Sequence, residues 1–296
     1  MKDFREELAR RIQETQEVIG KYLPQEKGYQ RTVLEAMNYS MNAGGKRLRP
    51  LLLMETCRFL GGDKAEAEPF MAAMEMIHTS SLIHDDLPCM DNDEYRRGKK
   101  STWAAYGEAM GVLAGDALIV EAFSAASSAF SRTADMERAG KAMQILTEKT
   151  GIYGMIGGQV VDVELTNQPI PGEKLDFIYR LKTGALLEAA MMIGAVLAGA
   201  GEEELDKIAR VALNVGVAFQ IQDDILDVTS SQEVLGKPVG SDEKNGKTTY
   251  VTLYGLEEAR AEVKRRSEEA LSLLRSFDGE DRFLEQLIEL LITRER

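Results

Sequence analysis

Aspartates gather in two short segments of the chain, and their spacing suits the binding of divalent cations. In the later segment, FQIQDDILD, Asp223 and Asp227 are four residues apart and Gln220 lies three residues before Asp223. All three side chains therefore project from one face of a helix. Most other positions of that helix are apolar, and carboxylates that face an apolar interior are costly unless paired or metal-bound. Oxygen ligands of this kind suit Mg²⁺, which commonly joins protein carboxylates to substrate phosphates.

The earlier segment, LIHDDLPCMD, contains three further aspartates, Asp85, Asp86 and Asp91. Their spacing does not return to one helical face. Pro88 explains the irregularity, because proline disfavours the helical conformation in the residue before it and ends helices nearby. We therefore predict that the helix ends after Asp86 or Leu87. Asp91 can then fold back toward the same cation from a loop.

Basic side chains accompany the acidic segments. GGKRLRP and RRGKK together offer Lys46, Arg47, Arg49, Arg96, Arg97, Lys99 and Lys100, and Lys237 and Lys247 stand in a later segment with glycine and proline. Arginine forks match phosphate oxygens bidentately, whereas lysine acts as a point charge. The formal net charge of the chain is -13. In so acidic a chain, basic groups gathered beside carboxylates indicate a bound diphosphate with its metal ions.

The periodicity that must position these residues is helical. Apolar residues recur at four-residue steps in FREELARRI near the amino terminus, and no convincing alternating strand pattern is present. His78, Ser81 and Asp85 follow each other at steps of three and four residues. One face of their helix should therefore present all three to the same cavity.

Prolines divide the chain into helices joined by short loops. We interpret Pro50, Pro69 and Pro88 as boundaries of this kind, because a proline removes a backbone donor and clashes with the preceding turn. No low-complexity linker and no change of composition interrupts the sequence. The sequence therefore predicts a single all-α domain over residues 1–296.

Composition excludes several functional classes. The sequence pI is about 4.9, so the field of the chain repels nucleic acid and anionic lipid, and we predict no nucleic-acid partner. Cys57 and Cys89 are too few for a disulfide framework or a zinc cluster. The longest uncharged apolar stretches, 189–201 and 211–222, fall short of the roughly 18 residues that span a bilayer. We predict no membrane span and, without an apolar signal segment, a cytoplasmic location.

The motifs together resemble those of one family. GGKRLRP, LIHDDLPCMDND with RRG, KTG, GVAFQIQDDILD and GKPVGSD match, in order and spacing, the motifs of the short-chain trans-isoprenyl diphosphate synthases, the farnesyl and geranylgeranyl diphosphate synthase family. The match covers about residues 40 to 250. The resemblance implies an antiparallel helical bundle around a central apolar cavity, the isoprenoid synthase-like fold. It also implies Mg²⁺-dependent head-to-tail condensation of isopentenyl diphosphate with dimethylallyl, geranyl or farnesyl diphosphate, and a homodimer.

The resemblance assigns roles residue by residue. About three Mg²⁺ ions, with Mn²⁺ as a substitute, would be held by Asp85, Asp91 and Asp223, with Asp86, Asp224 and Asp227 as outer or occasional ligands. The allylic diphosphate would contact Arg96, Lys182 and Lys237. Isopentenyl diphosphate would contact Lys46, Arg49, His78 and Arg97. The catalytic set would be Lys182, Thr183 and Gln220, of which Thr183 and Gln220 would line the path of the developing allylic cation. Lys247 would help to close the site.

The length of the product stays open between fifteen carbons (farnesyl) and twenty carbons (geranylgeranyl). In relatives, a bulky aromatic residue five positions before the first aspartate typically stops growth at fifteen carbons. That position is Ser80 here, followed by Ser81, which leaves room for a longer tail. Against this, bacterial enzymes of this branch are more often farnesyl synthases, and the floor of the pocket could be formed by Met54, Met74 or Leu118.

Two other functions share parts of these motifs. A terpene cyclase, which is a lyase, usually needs one aspartate motif and no isopentenyl site, so GGKRLRP and Arg97 argue against it. A non-catalytic subunit of a heteromeric prenyl synthase typically loses an aspartate motif or the lysine-arginine motif, and this chain keeps both. Lys100, Trp103 and Val251 depart from the residues usual in relatives, but they lie beside the assigned positions.

Overall fold

Helices form nearly all of the regular structure in the residues that the computed structural model describes, 2–133, 135–166, 168–229, 248–277 and 282–293. The all-α fold class is confirmed. The α-helices are α1 (Lys2–Gly20), α2 (Arg31–Met41), α3 (Leu48–Phe59), α4 (Lys64–Asp85), α5 (Thr102–Tyr106), α6 (Glu108–Ser127), α7 (Met136–Thr150), α8 (Met155–Glu164), α9 (Gly172–Ile178), α10 (Ala185–Ala198), α11 (Glu202–Thr229), α12 (Tyr250–Tyr254), α13 (Leu256–Leu274) and α14 (Phe283–Thr293). A 3-10 turn (Ser128–Ser131) and a π-helical turn (Tyr179–Gly184) complete them.

Helix α10 lies at the centre of the bundle. It is buried along nearly its whole length and packs against α3, α7 and α11. Gly194 allows the approach of α3, because a side-chain carbon at that position would lie 2.3 Å from the carbonyl oxygen of Leu53. Helix α4 packs against α3 and α6. The carboxyl end of α4 thereby reaches the part of the bundle that holds α8, the π-helical turn and α11.

Pro69 lies inside a helix, so its interpretation as a helix boundary is wrong, whereas Pro50 lies in the first turn of α3, next to a boundary. Pro50 is the third residue of α3, where the backbone N–H has no partner inside the helix in any case. Pro69 is the sixth residue of α4, so it removes one hydrogen bond close to the start of a long helix. The buried packing of α4 outweighs that local loss, and the helix continues to Asp85.

A short antiparallel hairpin, which the sequence pattern did not predict, follows α4. Its strands are β1 (Tyr95–Arg96) and β2 (Lys99–Lys100). The two turn residues, Arg97 and Gly98, have φ angles of 54° and 76°. Positive φ at both positions is the conformation of a type I′ turn, which suits the twist of a two-residue hairpin. The hairpin returns the chain toward the end of α4.

Two helical stretches within the described residues are long and apolar enough to cross a membrane by length and composition alone. They are Glu108–Ser131 and Gly172–Ala198. The second is mostly buried, as expected for the central helix of a bundle. The first exposes more of its apolar surface, including Leu113 and Val120. The prediction of no membrane span therefore stays a prediction.

Candidate active site

Directly after α4 the chain folds back and brings the earlier aspartates together. Helix α4 ends at Asp85, one residue before the earlier of its two predicted ends. The backbone N–H of Asp91 donates to the carbonyl oxygen of Asp85 at 2.9 Å, and that of Asp93 donates to Asp86 at 3.2 Å. Asn92 has a φ of 54° and completes the turn. The return of Asp91 to the end of α4 is the arrangement that Pro88 led us to expect.

Asp86 is the buried partner of Arg96. The Nε atom of Arg96 donates to both carboxylate oxygens of Asp86, at 2.7 and 2.9 Å. Burial raises the pKa of Asp86, while the hydrogen bond and charge of Arg96 act to lower it. Both carboxylate oxygens of Asp86 are thus held by Arg96, which fixes the side chain toward the hairpin. The geometry favours the outer role that the resemblance gave it.

Helix α8 supplies two side chains that the sequence analysis missed. Gln159 Nε2 donates to Asp85 Oδ1 at 2.7 Å, and Lys182 Nζ donates to Asp162 Oδ2 at 2.5 Å. Burial raises the pKa of Asp85, the charge of Lys182 opposes the rise, and the charge of Asp91 adds to it. The signal was present in GGQVVD, because Gln159 and Asp162 are three residues apart and share a helix face.

Lys182 and Thr183 lie on the π-helical turn between α9 and α10. Turns of this kind are frequent at functional sites. The hydroxyl of Thr183 donates to Gln220 Oε1 on α11 at 2.9 Å. Burial acts to lower the pKa of Lys182, but the charges of Asp162 and Asp85 raise it overall. The three residues of the predicted catalytic set are therefore brought together.

Glycines on both sides of the π-helical turn let neighbouring helices touch its backbone. A side-chain carbon at Gly158 on α8 would lie 2.3 Å from the backbone nitrogen of Lys182. One at Gly216 on α11 would lie 2.9 Å from the Cα of Gly184. Contacts this short exclude every residue with a side chain. The turn is thus held between two helices by backbone packing.

On α11, Asp224 lies four residues after Gln220 and joins three elements. It is 4% exposed. Its Oδ2 atom accepts a hydrogen bond from the hydroxyl of Tyr179 at 2.5 Å and one from the backbone N–H of Tyr250 at 2.8 Å. Asp223 and Asp227 are less buried than Asp224 and share the helix face of Gln220. Asp224 therefore has a structural role, because it joins α11 to the π-helical turn and to α12.

The glycine-rich loop before α3 packs against Arg97. The guanidinium of Arg97 donates to the carbonyl oxygen of Gly44. A side-chain carbon at Gly45, where φ is 125°, would lie 2.5 Å from Arg97 Nη1. Both glycines suit the positive φ of this loop, and Gly45 also leaves the space that Arg97 occupies. The loop that carries Lys46 is in this way joined to the hairpin that carries Arg97.

Arg49 and His78 form the inner part of the basic cluster. Arg49 Nη1 donates to His78 Nε2 at 3.3 Å. Burial and the surrounding arginines, Arg49 first, lower the pKa of His78 well below its usual range. His78 is therefore neutral and accepts from Arg49 through Nε2. The buried Nε atom of Arg49 has no partner within the described residues, so this guanidinium retains a donor for an anion.

A cavity of about 690 Å³ extends from these groups between α4, α6 and α8. Arg49, His78, Asp85, Lys182 and Thr183 line one part of it, and the remaining lining is largely apolar and includes Ser80, Ser81, Val112, Asp116, Ile119, Met155, Ile156, Val160 and Val163. The cavity face predicted for His78, Ser81 and Asp85 is confirmed. Met54, Met74 and Leu118 are buried in the core and are not among the lining residues, so the alternative that one of them forms the pocket floor stays a prediction.

The donors suit magnesium only together with a phosphate ligand. Within the described ranges, no three histidine, cysteine, aspartate or glutamate side chains form a metal site by themselves. The turn after α4 nevertheless brings Asp85 and Asp91 together, and Mg²⁺ usually takes one or two carboxylates, waters and substrate phosphates. The ligand chemistry therefore fits. Lys237 and Lys247 lie outside the described residues.

Comparison with known proteins agrees with this arrangement. The family model described as polyprenyl synthetase matches residues 30–291.

The chain belongs to the polyprenyl synthetase family.

Among relatives, geranylgeranyl pyrophosphate synthase 3 of Arabidopsis thaliana is 47% identical over 250 residues, which are 83% of this chain and 69% of that protein. An FPP/GFPP synthase from Zymomonas mobilis has a similar structure, with a TM-score of 0.86, 32% identity and 99% of both chains covered. A Helicobacter pylori geranyltransferase complexed with magnesium and isoprenyl diphosphate has a TM-score of 0.83 at 31% identity, covering 96% of this chain and 95% of that one. The predicted membership of this family is confirmed.

Loss of the Tyr179 hydroxyl should weaken the junction around Asp224. In Tyr179→Phe the buried carboxylate keeps only the Tyr250 N–H of the two bonds described, and a hydrogen bond to a charged group contributes about 1.5–3 kcal/mol. We expect urea unfolding to show a loss of that size. The control is Tyr254→Phe, whose ring is 49% exposed and whose change should stay within about 0.5 kcal/mol. Equal stability of the two variants would contradict the structural role of Asp224.

Proposed function

We propose that this prenyltransferase adds isopentenyl diphosphate to allylic diphosphates until it releases a twenty-carbon product, geranylgeranyl diphosphate. The observation that carries the proposal is the cavity that begins at Lys182 and Thr183 and passes Ser80 and Ser81. It has charged groups at one end and an apolar remainder, which suits a diphosphate with a hydrocarbon tail. Relatives named geranylgeranyl pyrophosphate synthase at 42–47% identity support the same product.

Two groups of residues would hold the two diphosphates. Lys182 and Arg96 would bind the allylic diphosphate, beside Asp85 and Asp91. Asp85 and Asp91 would hold magnesium, whose positive charge would stabilise the leaving group. The basic cluster of Lys46, Arg49, His78 and Arg97 would bind isopentenyl diphosphate. The division places one substrate on each side of the end of α4.

The residues around the allylic carbon act by position and by excluding water. The Thr183 hydroxyl and the Gln220 carbonyl oxygen lie beside Lys182 and would turn their oxygen atoms toward the cation that forms when the carbon-oxygen bond breaks. The isopentenyl double bond then attacks this cation. One proton is lost to restore an alkene, and the departing diphosphate is the base nearest to it. The apolar lining protects the cation from water.

The other two functions are not favoured. A terpene cyclase would have no use for Arg49 and His78 at the cavity, since it binds no second diphosphate. A non-catalytic subunit would not need the aligned set of Asp85, Gln159, Lys182 and Thr183 that the structure assembles. Both aspartate motifs and the basic cluster are retained, as an active synthase requires.

Removal of either metal-binding carboxylate should abolish the reaction. We expect Asp85→Ala and Asp223→Ala to lower diphosphate release in the presence of Mg²⁺ by about 10²-fold or more, because charge stabilisation of the leaving group is lost. Circular dichroism should show an unchanged helical fold. Glu94→Ala, an exposed acid from the same loop, is the matched control and should keep wild-type turnover. A near-normal rate of diphosphate release in either aspartate variant would contradict the assignment of that aspartate as a metal ligand.

Chain length should respond to the size of residue 81. Incubation of the wild type with labelled isopentenyl diphosphate and farnesyl diphosphate should give the twenty-carbon product. Ser81→Phe should shift the product to fifteen carbons, because an aromatic ring would occupy the cavity beside α6. Ser81→Ala keeps the position small and should leave the product unchanged. Failure of the wild type to elongate farnesyl diphosphate would favour the fifteen-carbon alternative.

We also propose that the chain forms a homodimer through α6. This helix exposes Leu113 and Val120, which are not among the residues that line the cavity, and exposed apolar surface of this kind marks interaction sites. Light scattering should give twice the chain mass of 32.8 kDa. Val120→Asp should shift the mass toward one chain, whereas Leu290→Asp on α14, also exposed, should not. A monomeric wild type would refute the proposal.

A further inference from the structure

A buried carboxylate, Glu75, lies beneath the basic cluster. It is on α4, three residues before His78, and is 1% exposed. Its Oε1 atom accepts a hydrogen bond from Arg47 Nη1 at 2.6 Å. The other nitrogens of Arg47 are engaged as well, since Nε donates to Gln16 Oε1 at 3.0 Å and Nη2 donates to the carbonyl oxygen of Met41. Arg47 is therefore committed to protein partners and is not a ligand-binding arginine.

The backbone of Arg47 forms the bend between the glycine loop and α3. Its φ and ψ angles are 49° and 34°, the left-handed conformation, which residues other than glycine adopt rarely and only where their surroundings hold them. Here the buried ion pair with Glu75 provides that hold. Lys46 and Arg49, on either side of the bend, owe their relative placement to it.

Glu75 also balances charge. Burial lowers the pKa of Arg49 to about 10 and lowers that of Arg97, and in both cases Glu75 is the largest influence in the opposite direction. The Glu75 carboxylate thus acts on three arginines: it forms an ion pair with Arg47, and its charge favours the protonated forms of Arg49 and Arg97. Glu75 therefore reduces the repulsion within the basic cluster when no anion is bound. The cluster still keeps an excess of positive charge with which to bind an anion.

We propose that Glu75 is a positioning residue for the isopentenyl diphosphate site, where it fixes the Arg47 bend that places Lys46 and Arg49 and offsets the charge of Arg49 and Arg97. The inference rests on the proposed function. In the proposed division of the site, Glu75 belongs to the isopentenyl diphosphate part, whereas Lys182 and its partner Asp162 belong to the allylic diphosphate part. Its loss should therefore affect one substrate and spare the other.

The test is a comparison of KM values for the two substrates. In Glu75→Gln, which keeps the size of the side chain and one acceptor for Arg47, we expect KM for isopentenyl diphosphate to rise about tenfold or more, as charge-assisted contacts are weakened. KM for geranyl diphosphate should change by less than about twofold. Equal KM values for isopentenyl diphosphate in the variant and the wild type would overturn the inference.

Two further variants separate positioning from stability. Glu55→Gln is the matched control, because Glu55 is 2% exposed and forms buried ion pairs with other arginines, Arg11 on α1 and Arg58 on α3. It should lower the melting temperature and leave both KM values unchanged.

A double variant, Arg47→Met with Glu75→Met, exchanges the ion pair for apolar residues, which often restores stability. This double variant is used instead of Glu75→Gln if Glu75→Gln does not fold. A wild-type KM for isopentenyl diphosphate in this folded double variant would also contradict positioning.

The same assay keeps the two proposals apart. If the wild type forms no product from isopentenyl diphosphate and geranyl diphosphate, the proposed function fails. If the wild type is active and Glu75→Gln matches it for both substrates, only the inference fails.

Discussion

Charge compensation at the end of α4 is the constraint on which the rest of this structure depends. Acids and bases are crowded beside an apolar cavity, and burial of unpaired ions is costly. The protein pairs them in separate units, Asp86 with Arg96, Asp162 with Lys182 and Glu75 with Arg47. Each unit joins different elements, so the ion pairs also fix where the loop, the hairpin and the helices meet.

Packing carries this arrangement to the reactive groups. Helix α4 is anchored by α3 and α6, and α8 and α11 close on the π-helical turn at Gly158 and Gly216. Electrostatics and close packing are thus complementary. The ion pairs determine which elements meet, and the glycines determine how closely the helices approach the π-helical turn. The result is a site whose polar end is built from rigid elements instead of loops alone.

Much of the fold and of the site could be predicted from residue patterns. The helical period, the consequence of Pro88 and the shared face of His78 and Asp85 depend on local geometry, which sequence spacing encodes. What could not be predicted depends on contacts between distant segments. No residue near Arg47 in the sequence indicates that its side chain points inward to Glu75. The role of Gln159 becomes evident only once the fold has brought α8 to Asp85. Pro69 failed as a boundary because burial of the whole helix overrides one lost hydrogen bond.

The two ends of the cavity have chemically different linings. Polar side chains of α4, α8 and the π-helical turn surround the reactive end, whereas Ser80 and Ser81 of α4 and Val112 and Ile119 of α6 line the part that would hold the tail. A substitution that lengthens or shortens the space for the tail therefore need not disturb the groups that ionise the substrate. Such a division of labour lets descendants of one ancestral chain drift in product size while inheriting the same chemistry.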